Sequence, residues 1–258
     1  MLQGNFIPGG LVRDGLIDQL NAAFVGATLP ERLRLLREAV AGRGVFTSSF
    51  GIEDQALTHA LSQAKVDFEV ATLDTGRLFP ETYDVWQRTE ETYALRIRAF
   101  YPRAEAVEAL VADQGVNGFY YGLDMRKACC EVRKIEPLAR ALEGVALWVT
   151  GLRGDQNAHR ANLRFVEWDE ERGLVKANPL LDFSRDDVVT YANANHVPVN
   201  ALHEKGFVSI GCAPCTRAIK PGEPERAGRW WWESEEKKEC GLHVASDGRV
   251  SRLKEAAE

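Results

Sequence analysis

Cysteine is scarce in this chain, with five among 258 residues. The count is odd, and the positions are not spread like the paired framework of a small secreted protein. That excludes a disulfide scaffold and leaves a metal site or a catalytic thiol as the better reading. No apolar run approaches the roughly 18 residues that a membrane span requires. The opening M-L-Q-G-N-F-I-P-G-G lacks the basic start and apolar core of a secretory signal. The expectation is therefore a cytoplasmic protein with no membrane partner. Positive charge is not in surplus either: the net charge is −6, which argues against general nucleic-acid binding and makes any local cluster of Arg and Lys stand out. Internal repeats and low-complexity blocks are missing as well. Hydrophobic residues make up 45% of the chain, enough for a domain of this length to bury a sizeable core.

The patterning that is present alternates between strands and helices. Residues 1–30 read as an irregular arm with one short helical stretch. E-R-L-R-L-L-R-E-A-V-A, residues 31–41, is an amphipathic helix introduced by Pro30. The run G-V-F-T-S-S then ends in small hydroxyl residues, and a helical pattern follows from Glu53 to Gln63. F-E-V-A-T-L-D, residues 68–74, is a buried strand that turns at T-G, and residues 80–92 are helical behind Pro80. L-R-I-R-A-F alternates as a strand, A-E-A-V-E-A-L-V-A-D-Q is a helix, and V-A-L-W-V-T-G, residues 145–151, is another buried strand. F-V-E-W-D and L-V-K-A-N flank E-E-R-G as a hairpin, and Ser184 caps a further helix. Such alternation predicts an α/β fold with a mainly parallel, twisted sheet and helices on both faces. After residue 221 the composition shifts to charge and tryptophan. The reading is thus a nucleotide- and cluster-binding domain over 1–221 and a docked tail over 222–258, outside the sheet.

In a doubly wound sheet, ligands sit at the carboxyl ends of the strands. T-S-S-F-G-I-E-D puts Ser48, Ser49 and Gly51 at a helix start, where backbone N–H groups and hydroxyls suit a phosphate-like anion. The same loop reads as a serine cap on an ordinary helix. L-D-T-G-R-L, with Leu73, Asp74 and Gly76, suits a ribose or base, or is simply a turn capped by Asp74.

The cysteines are more specific. Cys129 and Cys130 are adjacent, and neighbours of this kind rarely bridge each other because the ring strains the intervening peptide. Cys212 and Cys215 form C-A-P-C, which sits too late in the chain for a thioredoxin-like dithiol. Together the pairs supply four thiolates, enough for a tetrahedral zinc or an iron–sulfur cluster. Structural zinc sites draw on separated cysteines, whereas a cuboidal cluster offers irons at different corners, so the adjacent pair favours the cluster. Arg126, Lys127, Arg133 and Lys134 then balance an anionic four-thiolate group. Cys240 stands alone in K-K-E-C-G-L-H, where Lys237, Lys238 and His243 favour the nucleophilic thiolate and Gly241 leaves the sulfur unhindered. An incidental surface thiol is the plainer alternative.

Taken together, S-S-F-G-I-E-D, L-D-T-G, C-C-x-x-R-K-x-E-P-L, T-G-L-R, S-I-G-C-A-P-C-T-R, G-R-W-W-W-E and E-C-G-L-H span roughly residues 45–243. In that order they resemble the assimilatory adenylyl-sulfate reductases of the phosphosulfate reductase family. The resemblance implies an adenine nucleotide α-hydrolase-like fold and a [4Fe–4S] cluster on Cys129, Cys130, Cys212 and Cys215. It implies adenosine 5′-phosphosulfate as substrate, with thioredoxin or a glutaredoxin-like donor as reductant. Cys240 would attack the sulfonyl sulfur as the catalytic thiolate. By the same resemblance Lys134, Arg153, Arg226, Arg229 and His243 line the phosphosulfate, and Ser48, Ser49, Gly51, Leu73, Asp74 and Gly76 contact the nucleotide. Trp230, Trp231 and Trp232 are expected to anchor the tail. The chain departs from the family pattern at Gly154, at Asn157 and in the lead-in F-V-S-I-G-C. Two alternatives stay open: a reductase of the 3′-phosphorylated nucleotide, alone or alongside the unphosphorylated one, and a nucleotide-binding redox sensor built on a cluster or zinc. Neither nucleic acid nor membrane is expected as a partner, and a homo-oligomer is compatible with the sequence.

Overall fold

Strands 43–47, 69–73 and 145–149 are apolar at their centres and stiff at χ1, so they bury on both faces. In the computed structural model, which describes residues 10–156 and 163–234, these three lie side by side at the middle of a six-stranded sheet. In chain order the elements are α1 (Gly10–Phe24), α2 (Leu29–Ala39), β1 (Arg43–Thr47), α3 (Ile52–Ala64), β2 (Glu69–Leu73), α4 (Pro80–Tyr93), β3 (Arg98–Phe100) and α5 (Ala104–Gln114). There follow α6 (Leu123–Cys130), a π-helical turn (Glu131–Ile135), α7 (Glu136–Ala141), β4 (Val145–Val149), β5 (Val166–Asp169), β6 (Leu174–Ala177) and α8 (Arg185–Ala194). The sheet order is β3-β2-β1-β4-β6-β5. All pairings are parallel except the β5–β6 hairpin at one edge, so the mainly parallel sheet read from the sequence is the one observed.

Alternate residues of the central strands feed two cores. Phe46 and Val70 join the larger one beneath α1, α2, α3 and α8, while Val45 and Ala71 pack with Leu138, Ala141 and Trp148 on the opposite face. That division places helices on both sides of the sheet. Chain order reverses between β1 and β4: β2 and β3 extend to one side of β1, and β4, β6 and β5 lie on the other. Their carboxyl ends diverge there, opening the crevice in which α/β sheets hold ligands.

Two stretches differ from the sequence reading. The short helical stretch expected in the N-terminal arm is a helix of 15 residues, α1, whose Ile17, Leu20 and Phe24 are buried. Residues 118–141, for which no element was assigned, form a 3₁₀ turn and then α6, the π turn and α7 without a break. Arg126 and Arg133 point inward there, so the hydrophobic stripe that normally marks a helix is missing. The described part of the 222–258 segment, residues 222–234, lies against residues 211–217. An antiparallel bridge joins Thr216 to Arg229, the Arg217 N–H donates to the Gly228 carbonyl at 3.0 Å, and that of Trp230 to Cys215 at 3.1 Å.

Candidate active site

A cavity of about 200 Å³ opens at the β1/β4 crevice. Its floor is made by Thr47 and Ser48 at the end of β1, Thr72 and Leu73 at the end of β2, and Trp148 of β4, whose indole N–H donates to Thr47 Oγ1 at 2.9 Å. Ser48, Ser49 and Gly51 line it. Phe50 between them sits at φ 61°, a left-handed conformation that bulky residues rarely adopt. The loop holds it: the Phe50 N–H donates to Ser48 Oγ at 3.2 Å, and Gly51 caps α3. The anion-binding donors of this loop already have an occupant. Both the backbone N–H and the hydroxyl of Ser49 donate to Asp54, at 2.6 and 2.7 Å.

The cavity is polarised. Glu53 and Glu225 share Arg153 at one end, Lys134 and Arg229 both act on Cys212, and Asp54 and Arg226 complete the charged lining. Arg153, expected to line the phosphosulfate, is instead fully buried behind the acidic end. It pairs with Glu53 at 3.0 Å, with Glu225 at 2.6 Å and with Asp155. Asp74 and Gly76 are likewise not in the cavity wall. Asp74 accepts from the Gly76 N–H at 2.8 Å and from the Tyr83 hydroxyl at 2.9 Å, which builds the turn that carries Thr75. Gly76, at φ +70°, allows that turn. Cys240, His243 and Asn157 lie outside the described residues.

Burial pushes the Asp54 carboxyl up to about 6 against the pull of the Ser49 hydrogen bonds, and the neighbouring Glu53 charge adds to the rise. A carboxyl raised in this way favours its protonated form in the fold. Its destabilising effect is absent below about pH 4 and fully developed above about pH 6, so the free energy of unfolding should fall as pH rises through that window. Asp54→Asn keeps an acceptor towards Ser49 and removes the titration. Urea midpoints between pH 4 and 7 should therefore decline in the parent relative to this variant; parallel curves would show that Asp54 ionises without penalty.

A second, smaller cavity of about 20 Å³ adjoins the first, and Cys129, Cys130, Cys212 and Cys215 all line it. The first pair comes from the last turn of α6, immediately before the π turn, a distortion often found at functional sites. The second pair brackets a 3₁₀ turn, Ala213–Cys215, tied to the β2 loop by an Ala213 N–H bond to the Arg77 carbonyl at 2.8 Å. As free thiols, three of them are shifted in different directions. Burial raises Cys129. Burial and the neighbouring Cys212 push Cys215 up to about 12. Cys212 goes down despite its burial, because Lys134 and the Thr75 hydroxyl, 3.2 Å from its sulfur, favour the thiolate. Four sulfurs around one cavity ringed by Arg77, Arg126, Arg133 and Lys134 are a donor set for a cationic group whose thiolate complex is anionic overall. Among the described residues no three His, Cys, Asp or Glu side chains gather as a single ion would need.

Among the described residues only Lys134 and Cys212 face both cavities. Sequence reasoning found both, but it missed Thr75, Trp148, Glu225 and Gly211 as parts of the site. Trp148 reads as core because it sits in a fully buried strand. For Gly211 the signal was its place directly before C-A-P-C: a Cβ there would collide with the Arg229 guanidinium, so only glycine lets Arg229 lie across the backbone.

An open, mostly parallel sheet with its cavity at the β1/β4 crossover defines an enzyme of the adenine nucleotide α-hydrolase-like fold. The chain belongs to the phosphosulfate reductase family, since residues 43–218 match the phosphoadenosine phosphosulfate reductase domain. It is thus an oxidoreductase acting on a sulfur group. Among relatives, it is 54% identical over 226 residues to the adenosine 5′-phosphosulfate reductase of Sinorhizobium fredii (strain USDA 257), covering 88% of this chain and 90% of that one. The enzyme of the same name from Allochromatium vinosum is 49% identical over 199 residues, covering 77% of this chain and 78% of its own. Among solved structures, the phosphoadenylyl-sulfate reductase of Candida auris, in a phosphate complex, superposes with a TM-score of 0.68 at 26% identity, over 83% of this chain and 99% of that one. No helix among the described residues is long and apolar enough to cross a membrane.

Proposed function

We propose that this chain reduces adenosine 5′-phosphosulfate to sulfite and AMP in sulfate assimilation, with thioredoxin as the electron donor. The observation that carries the reading is the shared lining: Lys134 and Cys212 face both the cavity at the β1/β4 crevice and the four-thiol cavity. The relatives named above, adenosine 5′-phosphosulfate reductases by name, support the unphosphorylated nucleotide as substrate.

The nucleotide enters over Ser48, Ser49, Gly51 and Leu73, and its phosphosulfate lies towards Lys134, Arg226 and Arg229. The Cys240 thiolate attacks the sulfonyl sulfur. A sulfur–sulfur bond forms, the sulfur–oxygen bond to the phosphate breaks, and AMP leaves with the bonding pair. Lys134, Arg226 and Arg229 stabilise the charge arriving on that phosphate, and His243 is placed beside the same group by the sequence pattern. A thioredoxin thiolate then attacks the Cys240 sulfur and expels sulfite, and its second thiol resolves the mixed disulfide. Two electrons pass from the dithiol to the sulfonate sulfur. Cys129, Cys130, Cys212 and Cys215 would hold a [4Fe–4S] cluster, whose role here is to set the charge and geometry behind Lys134 rather than to carry electrons. Arg153 takes part indirectly, by fixing Glu53 and Glu225 at the acidic end of the cavity.

The test is the intact mass of anaerobically purified protein mixed with adenosine 5′-phosphosulfate and no thioredoxin. One SO₃ added at Cys240, with AMP released, is the expected result. A parallel sample with the 3′-phosphorylated nucleotide reads the specificity. Iron-replete protein that takes up SO₃ from neither nucleotide would sink the reading in favour of a sensor. The close approach of Gly211 to Arg229 gives a further expectation. Gly211→Ala must push the guanidinium aside, and kcat/KM for sulfite release should fall about 10²-fold, the cost of a displacement near 1 Å at a reacting centre. Parent-like kinetics in this variant would remove Arg229 from the site.

A further inference from the structure

One face of α4 touches both loops that line the larger cavity. Tyr83, Trp86 and Glu90 follow one another at helical spacing and share that face, while Val85 and Thr89 are buried beside it. The Trp86 ring stacks on the Phe50 ring, with centroids 5.4 Å apart and planes 21° from parallel. Tyr83 stacks on Trp86 at 6.4 Å and 20°, so the rings form a near-parallel series. Trp86 is fixed in turn by Glu90, whose Oε1 accepts from the indole N–H at 3.2 Å and from the Ile97 N–H at 2.8 Å. At its other end the series reaches the second loop. The Tyr83 hydroxyl donates to Asp74 at 2.9 Å, in the turn that puts Thr75 into the cavity wall. Burial and that hydrogen bond push the hydroxyl up to about 12, which keeps it a donor at neutral pH.

Phe50 needs such a neighbour. Its φ of 61° is unfavourable for a bulky residue and persists only where packing over-determines it. The side chain is 1% exposed, and Ser49 before it and Gly51 after it both line the cavity. A return of Phe50 to an ordinary φ would redirect both. Neither Trp86 nor Tyr83 is among the described residues that line the cavity, so each reaches a ligand there only through the loops. We propose that Trp86 is a positioning residue for the nucleotide: seated between Phe50 and Tyr83, it locks loops 48–51 and 73–76 into one relative placement, a single preformed binding surface. The inference rests on the nucleotide site assigned under Proposed function, and not on Cys240 or the thiols. Without the stack the first loop spends part of its time in placements that do not bind, and the apparent affinity falls by the fraction lost. A bound nucleotide restores the placement, so the loss falls on KM and not on kcat.

The experiment compares the full-length, iron-loaded parent with Trp86→Phe, Trp86→Leu, Tyr83→Phe and the Trp86→Leu/Tyr83→Phe double variant. AMP affinity is measured by calorimetry, and KM and kcat for adenosine 5′-phosphosulfate from sulfite release. Both Trp86 variants lose the bond to Glu90, but only leucine loses the ring. Trp86→Leu should raise the AMP Kd and the KM about 10-fold, the size of one aromatic stacking contribution, with kcat within about twofold. Trp86→Phe should stay within about twofold of the parent in all three. Tyr83→Phe keeps the ring, cuts the tie to Asp74 and should raise Kd and KM about 3-fold. The double variant should bind no more weakly than Trp86→Leu, because the tie transmits nothing once the series is broken. A merely structural Trp86 would lower the urea midpoint of the leucine variant and leave its Kd and KM parental, which overturns the inference. A phenylalanine variant as weak as the leucine one overturns it too, as does a double variant whose loss is the product of the single losses. The expected AMP affinities in protein that forms no SO₃ adduct would uphold the inference and sink the reaction instead. A parent without affinity for AMP overturns the nucleotide site, and the inference with it.

Discussion

Cys240→Ser protein, loaded with iron and supplied with adenosine 5′-phosphosulfate and thioredoxin, should release sulfite on the order of 10⁴-fold more slowly than the parent, or not at all. A serine hydroxyl at neutral pH is almost wholly protonated and is a far weaker nucleophile than a thiolate. Even if it attacked, the resulting sulfate ester would give thioredoxin no sulfur–sulfur bond to cleave. Ground-state binding should survive, because β1, β2, β4, the α6–α7 region and the stretches around Gly211 and Arg226 already supply a lined cavity among the described residues. The diagnostic pattern is AMP bound with the parent's affinity, no SO₃ adduct and no sulfite. Turnover at the parental rate would remove the covalent mechanism altogether.

Lys134→Met should be the next largest effect, a loss of about 10² to 10³ in kcat/KM with most of it in kcat. Lys134 projects from the π turn into the wall between the two cavities, so its ammonium acts on both. On the thiol side it is the leading cationic influence favouring the Cys212 thiolate. On the nucleotide side it faces the place assigned to the phosphosulfate, where negative charge grows as AMP departs. Methionine keeps length and volume while deleting the charge. Lys134→Arg should restore only part of the rate, because a planar fork cannot take the place of a compact ammonium in a closed wall. The measurement is a kinetic comparison alongside iron content. Full iron with an unchanged kcat would show that the lysine serves the thiols alone.

The sheet was legible because its strands carry period-two or fully apolar patterns bounded by clear turns. Residues 69–73 and 145–149 follow the reading to within two residues, and the hairpin at β5–β6 follows from E-E-R-G. The stretch that holds the first thiol pair was opaque for a physical reason. Buried Arg126 and Arg133 replace the apolar stripe, and the π turn shifts the helical register by one residue, about 100° of rotation at 3.6 residues per turn. Any periodic reading across residues 123–141 is then out of phase at one end. The cysteines themselves were readable because thiolate chemistry admits few uses. Four positions more than 80 residues apart in two pairs do meet at one cavity. The charged residues were less so. A basic residue in a motif does not reveal its partner, and Arg153 spends its donors on Glu53, Asp155 and Glu225. Asp74 similarly turned inward to Gly76 and Tyr83.

Among the described residues two side chains, Lys134 and Cys212, line both cavities, and that small overlap bears on descent. The larger cavity owes its floor to β1, β2 and β4, whereas the thiol cavity is assembled mainly from α6, the π turn and the loop at 212–215. A lineage could lose the thiols and fill the small chamber with larger apolar side chains, disturbing the larger cavity chiefly around Cys212, Lys134 and Thr75. The reverse also holds, since substitutions at β1 or β4 that reshape the larger cavity do not touch the loops that carry the thiols. Two modules that share so few lining residues can change with limited effect on each other, and Lys134 is the residue whose selection pressure should change most when one of them goes.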